Sequence, residues 1–600
     1  MNSKRSARMV DPGWRRVAAR SIATLALALP LAGRAGCNIA RLELPVKMVD
    51  GRPIATVGIN GTPVRLLVDS GAFFSFLTEG TAAQLNLRLH RLPEGMELQG
   101  MAGKIDAKMT TVDHLQLAKG DIPQTDFIVG GNEIGAGAMG LMGRNILAFA
   151  DTEYDLAHGV IRVVSANDDC DKANMAYWAG DTPVSIIELL PAYREPRPPI
   201  RADMLINGHE VVALFDTGAT TTVSLGAAHK AGVKDADMTP DGEMAGAGRG
   251  KVDAWTAKFE RVEIGDETLL HNRLQVGDFA MRDADVLVGV DFFLSHHIYV
   301  SQKRRRMFFT YNGGPVFALN KVDEAARAAA AASAANTQAL SADELARRGA
   351  ASQTRGDFAS ALADLDRACA LEPDNAGFLA ARGVLHDQMK DPAKALADFD
   401  AALRRDPGLA DVRLHRAWLH ATSSERDLAL QDLAVLDATL PPQSPLRAGM
   451  AGLYSHFEMP RPMLAQWNLW IAAHPHDIAL EDAHNGRCWA RVVLGIELDQ
   501  ALDDCDKAVD AAPKNASYLD SRAWVYLRQG KLKKALADFD RGLAIRADGA
   551  WSLYGRGLVH LGVGDSTRAQ ADLAAARKLN PHIDADIQRS GLPTAPAMTP

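Results

Sequence analysis

Two stretches of this 600-residue chain repeat one another at a spacing of 147 residues, which limits the fold more than any other feature. Ile59 to Leu77 reads INGTPVRLLVDSGAFFSFL, and Ile206 to Leu225 reads INGHEVVALFDTGATTTVSL. In each, Asn-Gly predicts a tight hairpin turn with both central residues at positive φ. An apolar strand then runs into Asp-Ser-Gly-Ala or Asp-Thr-Gly-Ala.

The correspondence persists downstream. Lys104-Ile105-Asp106-Ala107 matches Lys251-Val252-Asp253-Ala254 at the same spacing, and Leu141-Met142-Gly143 matches Leu287-Val288-Gly289 at 146. Each lysine segment follows a glycine-rich tip, Gly100-Met101-Ala102-Gly103 and Gly246-Ala247-Gly248-Arg249-Gly250. A single Asp-Thr-Gly makes ordinary turns; three landmarks in one order, twice, do not arise by chance. Short apolar runs between Gly and Asn-Gly breakers predict an all-β copy, a small closed barrel. One short helical stretch is expected after each Asp loop, Thr81 to Leu87 and Gly226 to Gly232. The lobes fall at 38–165 and 200–316. The connection over 166–199 ends in Pro196-Arg197-Pro198-Pro199 and reads as stiff and extended.

These landmarks resemble the retropepsin-type aspartic peptidases, in the bacterial form with two lobes in one chain. The resemblance covers about residues 40–315 and implies that Asp69 and Asp216 face each other across the lobe interface as the catalytic pair. It makes Ser70 and Thr217 braces between the loops, and places Gly143 and Gly289 behind them. The tips Gly100, Met101, Ala102, Gly103 and Gly246, Ala247, Gly248 become flaps that close over substrate. Elementary chemistry agrees. Hydrolysing a peptide without metal, cofactor or covalent nucleophile needs one group to activate water and another to protonate the amine. Two close carboxyls do both, because like-charge repulsion keeps one protonated while the other ionises. Gly71 and Gly218 after the hydroxyl residues let the loops turn tightly. One departure from the retroviral pattern concerns Arg144. There the arginine pairs with an acid four residues after the catalytic Asp, where this chain has Phe73 and Thr220.

Past residue 315 alanine replaces glycine as the dominant small residue, and a period of 34 appears from about 342 to 583. Repeat ends fall at Pro373, Pro407, Pro441, Pro475, Pro513, Ala547 and Pro581, with one interval of 38 assigned to an insertion around Gly495 to Asp499. Small residues recur at Gly349, Gly383 and Ala417 on a first helix and at Ala361, Ala395 and Ala429 on a second. This resembles seven tetratricopeptide repeats, with 317–341 as an alanine-rich helical spacer and 584–600 as a tail. Such arrays bind protein partners or peptide segments. Met463, Trp467 and Trp470 make the fourth copy unusual, as a packing variation or a local binding site. Cys488 and Cys505 face one another in the fifth repeat, so a disulfide or two buried thiols is expected; Cys170 and Cys369 have no evident partners.

Residues 1–36 read as an export signal: Lys4, Arg5, Arg8, Arg15, Arg16 and Arg20 precede an apolar run, Ile22 to Leu31, too short to span a bilayer. The periplasm or the secreted fraction is the expected location. Ala35-Gly36-Cys37 leaves a lipid anchor on Cys37 open as the one route to a membrane, although Arg34 stands where a lipobox has Leu. A net charge of −8, with Lys303 to Arg306 the only basic run, argues against nucleic acid. Gly246 to Lys251 lacks the first glycine and the following Ser or Thr of a phosphate loop, so no nucleotide is expected. His296-His297 and the His474, His476, Asp477 group lack complementary metal ligands at helix spacing. The expected function is aspartic endopeptidase with the repeats as a binding scaffold. The alternative is a degenerate peptidase fold kept as a protein-binding module.

Overall fold

The computed structural model describes residue 37 and residues 39–595, except 94–97, 101–102, 106, 131–134, 168–169, 171–172, 192–196, 246–250, 282, 318–339, 476 and 478. Residues 1–36, Met101, Ala102, residues 246–250, residues 318–339 of the alanine-rich stretch and His476 lie outside the described residues. The chain forms two compact units, residues 1–398 and 399–600.

The first unit holds both β lobes. In lobe one, the strands Arg52–Ile59, Thr62–Val68, Gly140–Met142, Phe76–Leu77, Gly120–Gly130 and Ala107–Leu117 pair in that order, and the last pairs back with the first. Lobe two repeats the ring with Arg201–Ile206, His209–Phe215, Val286–Val288, Thr222–Ser224, Glu267–Gly277 and Lys251–Ile264. Each is the expected closed barrel. Asn60-Gly61 and Asn207-Gly208 take positive φ of 49° and 81°, and of 50° and 80°. Each Asn side chain also accepts an amide from the strand that closes its ring, His114 at 3.0 Å and Arg261 at 3.1 Å. The short helices are Glu79–Gln84 and Leu225–Lys230, capped by the Thr78 and Ser224 hydroxyls.

The lobes share a sheet. Asp151–Asp155 of lobe one pairs antiparallel with His296–Ser301 of lobe two, Glu153 opposite Tyr299. The connection between lobes is more than a stiff linker: Ser185–Glu188 adds a strand to Arg306–Tyr311. Met175, Ala176 and Ala179 are buried against Tyr299 and Phe308. Cys37 and Cys170 are joined by a disulfide, which corrects the expectation that Cys170 lacks a partner. The same bond leaves the Cys37 sulfur no valence for a lipid thioether.

His296 and His297 serve packing. His296 is buried, stacks on Phe292 at 4.0 Å and bonds Glu267 at 2.9 Å. His297 stacks on Trp178 at 3.8 Å and bonds the buried Glu153 at 2.8 Å.

The first repeat belongs to the peptidase-like unit and not to a separate half. Its first helix, Ala342–Thr354, buries Ala350 and Ala351 in the core that the lobes form. Arg355 at its end donates to the Leu294 carbonyl at 3.0 Å. Residues 342–579 form seven helix pairs among the described residues, followed by a short helix, Ile583–Arg589. Extra length in the array is spread out: the loops 440–445 and 474–479 are longer than their equivalents, and the first helix of the fifth repeat, Leu480–Leu494, has 15 residues.

An arginine–aspartate pair recurs with the repeat: Arg348–Asp364 at 2.6 Å, Arg382–Asp398 at 2.7 Å, Arg416–Asp432 at 2.6 Å, Arg522–Asp538 at 2.7 Å and Arg556–Asp572 at 2.7 Å. Forked guanidinium contacts of this kind fix the angle between paired helices. The fourth repeat has Met450 and Gln466 at these positions, and Arg447 bonds Gln466 at 2.7 Å instead. Trp470 is buried, and the Trp467 ring leaves no room for a side chain at Gly486, where a Cβ would lie 2.6 Å from its Nε1. The bulky residues of that repeat are therefore core. Cys488 and Cys505 form a disulfide between the two helices of the fifth repeat, and Cys369 is a buried free thiol.

Candidate active site

Each lobe delivers an aspartate at the end of its second barrel strand. The Asp69 amide donates to the Met142 carbonyl at 3.0 Å and the Asp216 amide to the Val288 carbonyl at 2.9 Å, so each Asp loop is tied to the apolar strand beside it. Gly143 and Gly289 end those strands. A Cβ at Gly143 would meet the Phe74 carbonyl carbon at 2.6 Å, and one at Gly289 the Thr220 carbonyl carbon at 2.4 Å. Only glycine lets the strand pass this close to the loop.

The loops then cross. The Ser70 amide donates to Thr217 Oγ1 and the Thr217 amide to Ser70 Oγ, both at 3.0 Å. Ser70 Oγ donates to the Phe215 carbonyl at 3.0 Å, and Thr217 Oγ1 to the Val68 carbonyl at 2.7 Å. Both hydroxyl residues are almost fully buried, at 1% and 0% exposure, so these four bonds have no competing water.

That crossing brings the acids together. A Cβ on Gly71 would sit 2.4 Å from Asp216 Cγ, and one on Gly218 2.6 Å from Asp69 Cγ. The Gly71 amide donates to Asp216 Oδ1 at 3.2 Å across the junction, and Gly218 donates to the same oxygen at 2.8 Å. Ala72 donates to Asp69 Oδ1 at 2.6 Å. Burial, then the charge of Asp216 and the bond to it, push the Asp69 carboxyl well above its ordinary value against the pull of nearby amides. One chain completes the pair, so neither lobe needs a second molecule to supply the other acid.

Sequence reasoning missed the layer behind the loops. Ser75 donates to Asn145 Oδ1 at 2.6 Å and accepts the Gly143 amide at 2.9 Å. Thr221 donates to Asp291 Oδ1 at 2.6 Å and accepts the Gly289 amide at 2.8 Å. The equivalent pairs lie 146 apart, so the register shortens by one residue within the Asp loop itself. The signal lay in the loop lengths themselves: Ser75 is six positions after Asp69, and Thr221 is five after Asp216. Arg144 is buried and donates to the Arg197 carbonyl at 2.8 Å, holding the interlobe connection in place of the retroviral ion pair. Phe73 is exposed at 42%. Tyr154 is buried behind the acids; burial and then the charges of Asp216 and Asp69 raise its pKa, so it stays a neutral phenol.

The strands that flank each glycine-rich tip are paired. Leu98–Gly100 pairs with Gly103–Ile105, and Thr239–Ala245 pairs with Lys251–Ile264 up to Ala245 opposite Lys251.

Residues 55–148 and 202–295 each match the family model described as gag-polyprotein putative aspartyl protease. The two lobes are retropepsin-like. Residues 347–410 match the tetratricopeptide repeat model. A curated relative, tetratricopeptide repeat protein 36 of Caenorhabditis elegans, is 34% identical over 73 residues, covering 12% of this chain and 39% of its own length. Among solved structures, a tetratricopeptide repeat protein from Parabacteroides merdae ATCC 43184 is 20% identical, covers 42% of this chain and 98% of its own, and has a TM-score of 0.32. Basic 7S globulin from soybean is 10% identical, covers 46% of this chain and 95% of its own, and has a TM-score of 0.28.

Proposed function

We propose that this protein is an aspartic endopeptidase whose retropepsin-like lobes build one site, with Asp69 and Asp216 sharing a single proton. The observation that carries this reading is the crossing of the loops, which sets each acid against the glycine of the opposite lobe. In the reaction the ionised carboxyl takes a proton from water, and the resulting hydroxide attacks the peptide carbonyl carbon. The protonated carboxyl gives its proton to the carbonyl oxygen. The tetrahedral diol then collapses: the carboxyl that took the proton from water gives it to the nitrogen, a diol hydroxyl returns its proton to the other carboxylate, and the C–N bond breaks, leaving the pair singly protonated. The proton belongs to the pair and not to one residue. Ser70 and Thr217 act as positioning residues, and the two hairpins serve as flaps.

An oxidising location outside the cytoplasm is part of the same proposal. The Cys37–Cys170 and Cys488–Cys505 disulfides support it, as does the amino-terminal charge and apolar pattern. The repeats bind a protein partner or present substrate. Cleavage of a peptide library at several pH values, wild type beside Asp69→Asn, tests the peptidase reading. Cleavage confined to the wild type and strongest in acid is the expected result; products made equally by both proteins would overturn it.

A further inference from the structure

The chain does not stop at its last repeat. The helix Ile583–Arg589 ends with Gly591 at φ 72°, where a Cβ would lie 3.4 Å from the Val493 carbonyl oxygen. That left-handed turn sends residues 590–595, Ser-Gly-Leu-Pro-Thr-Ala, back along the first helices of earlier repeats. Leu592 is buried at 4% exposure in the cluster that holds Tyr554 and Leu558 of the seventh repeat and Val492 of the fifth. Trp489 and Trp551 pack on this cluster and meet each other edge to face at 5.9 Å, bridging the fifth and seventh repeats. The Ala595 amide donates to the Tyr554 hydroxyl at 3.0 Å. Arg528 of the sixth repeat donates to the Gly591 carbonyl and to the Val493 carbonyl. Its Nε has no hydrogen-bond partner.

We propose that the first-helix face of repeats five to seven is a binding site for an extended Gly-Leu-Pro type segment, and that residues 590–595 occupy it in cis. The contacts are those of a ligand and not of a further repeat. One leucine anchors in an aromatic and aliphatic pocket, and two polar groups, Tyr554 Oη and the Arg528 guanidinium, hold the backbone. Backbone contacts of this kind are available to any extended chain, so a partner carrying the same anchor competes for the same face. Arg528 donates here to neutral carbonyls, so an occupant offering a carboxylate at that point would gain an ion pair. A tethered segment acts at an effective concentration in the millimolar range, so a partner must be abundant or fit better to displace it.

A fluorescent peptide of residues 589–600 tests this by anisotropy, on full-length protein in an Asp216→Asn background so that cleavage plays no part. Leu592→Asp should free the face and raise the apparent affinity for the peptide about tenfold or more over the parent. Adding Arg528→Ala should reduce it again. Hydrogen exchange gives a second readout without a fold-disturbing variant: excess peptide should speed exchange of the Ala595 amide in the parent. If Leu592→Asp keeps its thermal midpoint and binds the peptide no better than the parent, or binds a scrambled peptide equally, the segment is only a cap. Unchanged Ala595 exchange under excess peptide would overturn the proposal as well.

Discussion

Ser70 and Thr217 accept each other's backbone amides across the lobe junction, each at 3.0 Å, and each is buried. The bonds are reciprocal because the sequences around them are copies, and they join two halves that come from distant parts of the chain.

Removing either hydroxyl strands a buried amide of the opposite lobe and frees a carbonyl. Ser70→Ala and Thr217→Ala should each lower unfolding free energy by about 1–3 kcal/mol. Urea denaturation of both single variants and the double variant should show a coupling energy, since the residues share one network. Strict additivity would mean that the lobes are not braced through this pair.

Gly71→Ala should reduce peptide cleavage far more than it reduces stability. The new methyl would overlap the Asp216 carboxyl, at 2.4 Å from Cγ, so the acid must move. A displacement of that size at the reacting groups costs on the order of 100-fold in rate. Steady-state kinetics beside a thermal melt separates the two effects.

The raised pKa of Asp69 sets a sign for stability against pH. Its ordinary value is 3.8, and burial followed by the Asp216 charge holds the folded value above that. Between the two values the folded state carries more protons than the unfolded state, so this group's contribution falls as pH rises and levels off above the folded pKa. Asp69→Asn lacks that loss. Chemical denaturation should show the variant gaining on wild type as pH rises from about 4 toward neutral. A constant difference across that range would contradict the assignment.

Five cysteines should yield one reactive thiol, Cys369, in denaturant without reductant, and five after reduction. The Cys37–Cys170 bond closes a separation of 133 residues and Cys488–Cys505 one of 17. Loop-closure entropy then gives about 5 and about 3 kcal/mol of stabilisation. Paired serine substitutions, measured by denaturation, should follow that order.

Much of this architecture was legible because it repeats. The Asn-Gly turns, the Asp loops and the 34-residue period each recur, and recurrence separates signal from chance. The arginine–aspartate ladder also recurs, from Arg348 and Asp364 to Arg556 and Asp572 with a break at Met450 and Gln466, but the spacing of small residues does not reveal it. Contacts that occur once left no periodic trace. Cys37 and Cys170 meet only because the interlobe segment folds back, and the sheet that joins Asp151–Asp155 to His296–Ser301 depends on how the lobes dock. Ala350 and Ala351 read as ordinary repeat positions, yet they are buried in the core formed by the lobes. The hydroxyl–amide layer of Ser75 with Asn145 and Thr221 with Asp291 was hidden by a one-residue slip within the loop.

The most direct measurement is the turnover of a cleaved peptide by Asp69→Asn and by Asp216→Asn, each with its fold verified by circular dichroism. Each substitution alone should abolish cleavage, because a single acid cannot both activate water and protonate the substrate. Full activity in either variant would contradict a site built from the two.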